Sequence, residues 1–180
     1  MQEHDWFYRV YDRNADADVF GVFAPIVRLW LSKFDGDVLP DWTDFEFRDF
    51  AGWYGNISLG EIKPDYSEMI FLLWGTGLVD LWGTDYTGKS MEGETIPAHW
   101  DTVEKPYVKA IVERKAIGIA GGRLAAIGRE FINITYVDLP VRRSGKEPYL
   151  MSVYQRDMDR TSLDDAEPFY SHNDEQNPRL

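Results

Sequence analysis

The sequence predicts an α+β domain in which short helices pack on an antiparallel sheet. Three observations lead there. Aromatic residues make up 15 % of the 180 residues, far more than a disordered or coiled-coil chain carries. Apolar residues recur at spacings of three and four near the N-terminus and again between residues 99 and 115, which is the helical period. The other apolar stretches are strand-like and joined by short turns, which favours antiparallel pairing. One domain is expected at this length, over residues 19–158. An acidic segment, 1–18, precedes it, and an acidic, polar tail, 159–180, follows and reads as mobile.

Taken in order, Phe20, Phe23, Val27, Trp30, Leu31 and Phe34 form one stripe of a helix between Val19 and Phe34. Pro25 belongs in its first turn, where a missing amide does no harm. A second helix start is marked at Trp42-Thr43-Asp44-Phe45-Glu46-Phe47: Thr43 is placed to cap, Glu46 to reach back, and Trp42 and Phe47 to form the staple. Gly52 is placed to end it. Strands follow at Tyr54–Ile62 and Glu68–Thr76, across the turn Lys63-Pro64-Asp65-Tyr66. Leu78 to Trp82 can form one helical turn closed by Gly83. Trp100, Val103, Tyr107 and Ile111 mark a helix that Pro106 kinks or splits. Three strands, Ile117–Ile127, Phe131–Val141 and Tyr149–Met158, complete the domain.

The strand Met69-Ile70-Phe71-Leu72-Leu73-Trp74 is apolar at every position. Strict alternation puts Met69, Phe71 and Leu73 on one face and Ile70, Leu72 and Trp74 on the other, so both faces need covering. The crossing helices cover one, and the N-terminal aromatic helix, a second subunit or both cover the other.

Charge and composition exclude several classes. Net charge is −12, of which residues 1–18 carry −3 and residues 157–180 carry −5, leaving a nearly balanced centre. An acidic chain repels a phosphate backbone, so no nucleic-acid partner is expected. No basic segment followed by an apolar one opens the sequence, and no apolar run reaches transmembrane length; a cytoplasmic protein without a membrane partner is the expectation. With no cysteine, thiolate metal sites and cysteine nucleophiles are excluded. His4, His99 and His172 are too far apart in sequence to share a helix face, and no metal site is expected. No nucleophile stands beside a base and no G-x-S-x-G elbow occurs, so no catalytic residue is assigned. Gly83-Thr84-Asp85-Tyr86-Thr87-Gly88-Lys89-Ser90 fits the spacing of a phosphate-binding loop, but a poor helix former follows it and a surface turn is expected.

The same stretch, from Trp74-Gly75-Thr76-Gly77-Leu78 through Asp85-Tyr86-Thr87-Gly88-Lys89-Ser90, resembles the signature of a stand-alone subgroup of bacterial PAS-like domains. There an apolar strand runs into a GT.L...G.D.TG+.L stretch. The Gly128-Arg129-Glu130 turn, the strand ending Leu139-Pro140-Val141, the final strand after Lys146, and the segment from Phe23 to Val38 before Leu39-Pro40 are similar to it as well. The likeness spans about residues 20–158. It implies a five-stranded antiparallel sheet with short helices on one face and, here, an N-terminal helical cap. It departs from the subgroup at Ile70 and Leu72, where polar or basic residues are usual.

The resemblance implies a non-catalytic sensory or regulatory module. A small, partly apolar ligand would lie between sheet and helices, lined by Phe71, Leu73, Leu78, Trp82, Trp100, Tyr107 and Ile111, with Tyr136 or Thr135 as polar groups. Chromophores that need a cysteine are excluded, and only His99 could serve a haem. Two alternatives stand beside this reading. One is a ligand-free interaction module that pairs with a second copy or a signalling protein through Phe20, Phe23, Val27, Trp30, Ile70 and Leu72. The other is a small enzyme of the cone-shaped NTF2-like type, which would need titratable groups with displaced pKa converging in one cleft.

Overall fold

Ser144 and Gly145 both have positive φ, the backbone that lets two residues reverse a chain between paired strands. They join β5 (Arg129–Arg143) to β6 (Lys146–Arg156), the two longest strands, and the sheet grows outward from this hairpin. In this computed structural model, residues 6–90, 104–124, 128–159, 161–163 and 168–171 are described. The remaining strands are β1 (Phe7–Tyr11), β2 (Ile57–Ile62), β3 (Met69–Trp74), β4 (Ile117–Leu124) and the four-residue β7 (Pro168–Ser171). All pairs are antiparallel, in the order β3-β2-β6-β5-β4-β1-β7. The fold is therefore α+β, with seven strands rather than five. The two additions come from the acidic segments at either end, so the folded unit extends beyond 19–158.

Side chains alternate along β5 and β6 and feed two cores. Val137, Leu139, Val141, Tyr149, Met151 and Val153 face one core; Ile134, Leu150 and Tyr154 face the other. The first core lies under α1 (Ala24–Ser32) and the 3-10 turns around it, and the second under α2 (Thr76–Trp82) and α3 (Lys105–Arg114). Phe20, Phe23, Val27 and Trp30 are fully buried against the chain's own sheet, and the Trp30 indole donates to the Pro140 carbonyl at 2.9 Å. They have no surface left for a second copy. Of the other two expected interface residues, Leu72 packs on the same core and Ile70 is half-buried, in a bridge to Ser90.

Local chemistry modifies several elements. The N-terminal helix is a 3-10 segment, Ala17–Phe23, that becomes α1 at Ala24; Gly21, at φ 54° and ψ −121°, interrupts it, and Pro25 lies in the first turn of α1. Around residue 42 there are two short 3-10 turns, Trp42–Asp44 and Phe47–Phe50, instead of one helix, capped by Asp41 and Glu46 instead of Thr43. Phe47 does not staple anything: it stacks on Tyr54 at 4.4 Å on the surface. Pro106 lies in the first turn of α3, and the part of the expected helix before Glu104 lies outside the described residues. In β3 a bulge between Leu59 and Gly60 of the partner strand inserts Leu72, so the alternation shifts by one. Trp74 thereby joins Met69 and Phe71 in the second core, while Leu73, opposite Leu59, turns to the other face and stays exposed. Among the described residues no helix is long and apolar enough to cross a membrane.

Asp41 fastens the N-terminal cap to the central hairpin. Its buried carboxylate accepts from the Thr43 amide (3.0 Å) and hydroxyl (2.7 Å) and from the Ser144 (3.1 Å) and Gly145 (2.8 Å) amides. Against burial, which would raise it, the Gly145 and Thr43 amides and the Thr43 hydroxyl hold this pKa at about 2. A depressed carboxylate pKa contributes stability above its unfolded value and loses it as pH falls through the folded one. Asp41→Ala should therefore lower unfolding free energy by about 1–3 kcal/mol at pH 7 in urea titrations. The gap between variant and parent should close as pH falls from 5 to 2.

Candidate functional site

Register across six strands brings polar residues together on the face under α3. One line of partners runs Tyr8, Ala120, Tyr136, Tyr154. Two residues along, a second runs Val10, Gly118, Asp138, Ser152, Ser58, Trp74. Ala120 and Gly118 keep β4 low in both lines. A Cβ on Gly118 would lie 2.2 Å from the Tyr107 hydroxyl oxygen, so the glycine makes room for that ring to descend from α3.

The Tyr107 hydroxyl donates to Asp138 Oδ2 at 2.8 Å, and the Ser152 hydroxyl donates to Oδ1. The Tyr8 hydroxyl donates to Glu104 Oε1 at 3.2 Å, where Glu104 precedes the first residue of α3. Ser58 and Tyr154 share a hydroxyl pair at 3.1 Å. The rings of Tyr8 and Tyr107 meet edge to face at 5.1 Å, and those of Tyr136 and Tyr154 lie 4.9 Å apart. Glu104 and Asp138 are 7 % and 2 % exposed, which makes their charged forms costly. Burial raises Asp138 to about 7 in spite of the Ser152 and Tyr107 hydroxyls. Burial also raises Glu104 to about 7, against the Tyr8 hydroxyl and with the Asp138 charge adding to it. Burial and the Asp138 charge push the Tyr107 phenol well up. No ion pair or hydrogen bond to Lys, Arg or His compensates either carboxyl among the described residues.

One more polar atom is unsatisfied: the buried Trp74 Nε1 has no hydrogen-bond partner among the described residues. The Trp74 ring is surrounded by Phe71, Trp82, Tyr86 and Tyr154 at 4.8–5.9 Å.

Of the residues the sequence assigned to a ligand, Phe71, Leu78, Trp82, Tyr107 and Ile111 share this core, and Tyr136 packs against it half-buried. Leu73 does not, because of the bulge, and Thr135 is buried one residue out of phase with Tyr136 and Asp138. Trp100, His4, His99 and His172 lie outside the described residues. Sequence reasoning missed Tyr8, Glu104, Asp138, Ser58 and Ser152. Only Asp138 left a signal, an acid between Val137 and Leu139 in an apolar strand. The loop-like stretch 83–90 is a turn in which the amide of Gly88 donates to Phe71 (2.7 Å), that of Lys89 to Tyr86 (2.9 Å) and that of Thr87 to the Asp85 carboxylate (2.9 Å). No set of three or more potential metal ligands converges among the described residues.

A carboxyl whose folded pKa is raised contributes stability below its unfolded value and loses it as pH rises through the folded one. Stability should accordingly decline between about pH 5 and 8, and Glu104→Gln should flatten that decline and exceed the parent by about 1–3 kcal/mol at pH 8 in urea titrations. Gly118→Ala should displace Tyr107 from Asp138 and lower stability by about 1–3 kcal/mol in thermal melts.

Set against known proteins, the chain matches no family model, no curated protein and no solved structure.

Proposed function

We propose that the chain is a cytoplasmic, non-catalytic PAS-like sensory or regulatory module that binds a small, partly apolar ligand between its sheet and α3. The observation that carries this reading is the meeting under a helix of four phenols and two buried carboxyls that have no cationic partner among the described residues. Small-molecule sites are apolar with a few convergent polar groups, and Phe71, Leu78, Trp82 and Ile111 supply the apolar part. The inner five strands, β3-β2-β6-β5-β4, with α2 and α3 on one face, agree with the arrangement the resemblance implies. A signalling partner or second copy would have to use surface other than the buried face of α1.

The two raised carboxyls favour one further reading, a small acid–base enzyme of the NTF2-like type, since displaced pKa values also mark catalytic groups. Native mass spectrometry of the purified chain and thermal-shift screening of metabolites separate the two. A sensory module should retain or bind a small molecule unchanged, and Asp138→Asn should weaken that binding at least tenfold. Turnover of the bound compound would replace the sensory reading with the enzymatic one, and a chain that binds nothing would remove the ligand claim.

A further inference from the structure

The two ends of α3 are held on the sheet in different ways. Its C-terminal part is fixed by apolar packing: Val108, Ile111 and Val112 are buried in the second core. Beyond it, the Ala116 amide donates to the Ile111 carbonyl at 2.9 Å and the Lys115 ammonium pairs with Asp37. At the N-terminal end the contact with β1 is polar, from the Tyr8 hydroxyl to the Glu104 carboxyl at 3.2 Å. Pro106 lies between the two, with no amide to donate to the turn before it.

Asp41 shows what this chain does where a buried carboxylate is to stay charged. Asp41 and Glu104 are both 7 % exposed. Three amides and a hydroxyl donate to Asp41, whereas among the described residues the Tyr8 hydroxyl alone donates to Glu104. A carboxylate in that position forfeits its hydration for one hydrogen bond, whereas the neutral acid loses far less. Burial pushes both pKa values up; the donors outweigh it at Asp41, which stays at about 2, and Glu104 reaches about 7. The titratable groups that face Glu104 supply no positive charge: Tyr8 from β1, Tyr107 from α3 itself, Tyr136 and Asp138 from β5, and Tyr154 from β6. β4 brings Gly118 and Ala120 to this face and β2 brings Ser58, none of them charged. Lys105 follows Glu104 in the chain and is half-buried.

We infer that the first turn of α3 is a proton-operated latch, closed on β1 while Glu104 is neutral and released to water when Glu104 ionises, with Pro106 as its hinge. Tyr107, fully buried and bonded to Asp138, stays in place, so the opening is local and leaves the rest of α3 seated. The open turn gives up the bond to Tyr8 and hydrates the carboxylate. Because the open form binds one proton fewer, its share rises by up to tenfold for each pH unit between the unfolded and folded values of the group. The latch does not require a ligand between sheet and α3, so the metabolite screen tests a separate claim.

The test is residue-resolved amide hydrogen exchange of the full chain at pH 5.5 and pH 8, each with and without sub-denaturing urea. Protection factors remove the intrinsic pH dependence of exchange. The reporters are the amides of Val108 and Lys109, which α-helical bonding pairs with the carbonyls of Glu104 and Lys105. Their protection should fall at least tenfold from pH 5.5 to pH 8 and stay nearly indifferent to urea, as a small opening requires. Met151 and Val153 in β6 should stay better protected and should respond to urea. Glu104→Gln keeps the shape and an acceptor for Tyr8, and Glu104→Met keeps the length without a charge; each should cut the pH response of Val108 and Lys109 to less than threefold. Protection of β6 reports that each variant is folded. If Val108 and Lys109 exchange in step with β6 and share its urea dependence, Glu104 reaches water only when the whole domain unfolds, and the latch is overturned. It is overturned equally if the parent shows no pH response or if a folded variant keeps it.

Discussion

A sheet that is apolar on both faces cannot leave either to water, and that constraint shapes everything else in this molecule. Leu150 and Tyr154 point one way along β6, Met151 and Val153 the other, and all four are buried. Each face therefore needs its own cover. The crossover α2 and α3 supply one. The other is provided by the segment from Ala17 to Trp53, whose aromatic rings lie flat or edge-on against one another: Phe23 on Trp53, Trp30 on Phe34, Trp42 on Phe50. Such a cap has little regular backbone of its own, and Asp41 compensates by bonding it to the turn between the two longest strands.

The helical stripe through Phe20, Phe23, Val27 and Trp30 was legible because burial on one side imposes a period that survives in a single sequence. Two-sided burial of β3 was legible for the same reason, from the absence of any polar position. What neither could convey was the bulge at Leu72. An inserted residue changes no composition and breaks no pattern when its neighbours are all apolar, yet it moves Trp74 into one core and Leu73 out of it. The cap around Asp41 was misplaced by a few residues because Thr43 and Asp41 are both good capping residues, and only the approach of the Ser144-Gly145 turn selects the acid.

The polar site was illegible for a different reason. Tyr8, Glu104, Asp138 and Ser152 come from separate elements and meet only through register, which one chain read in order does not reveal. The glycines of β4 belong to the same problem. Gly118 reads as a weak strand position, whereas the Tyr107 ring that fills the space beside it is the actual reason for it. The glycines of the Gly75-Thr76-Gly77 stretch behave alike: a Cβ on Gly75 would sit 2.2 Å from the Gly55 carbonyl oxygen, so their part in the resemblance is steric.

The outer edge of the sheet carries a consequence of its own. β1 and β7 come from the two ends of the chain and pair with each other, Phe7 opposite Ser171 and Tyr8 opposite Tyr170. Arg9 and Tyr11 also hold the carbonyl of buried Leu163, which steers the returning segment back along β1. The first and last described strands thus lie side by side at one corner of the sheet, beside the residue that holds Glu104, so a pull on either strand is a pull on the site.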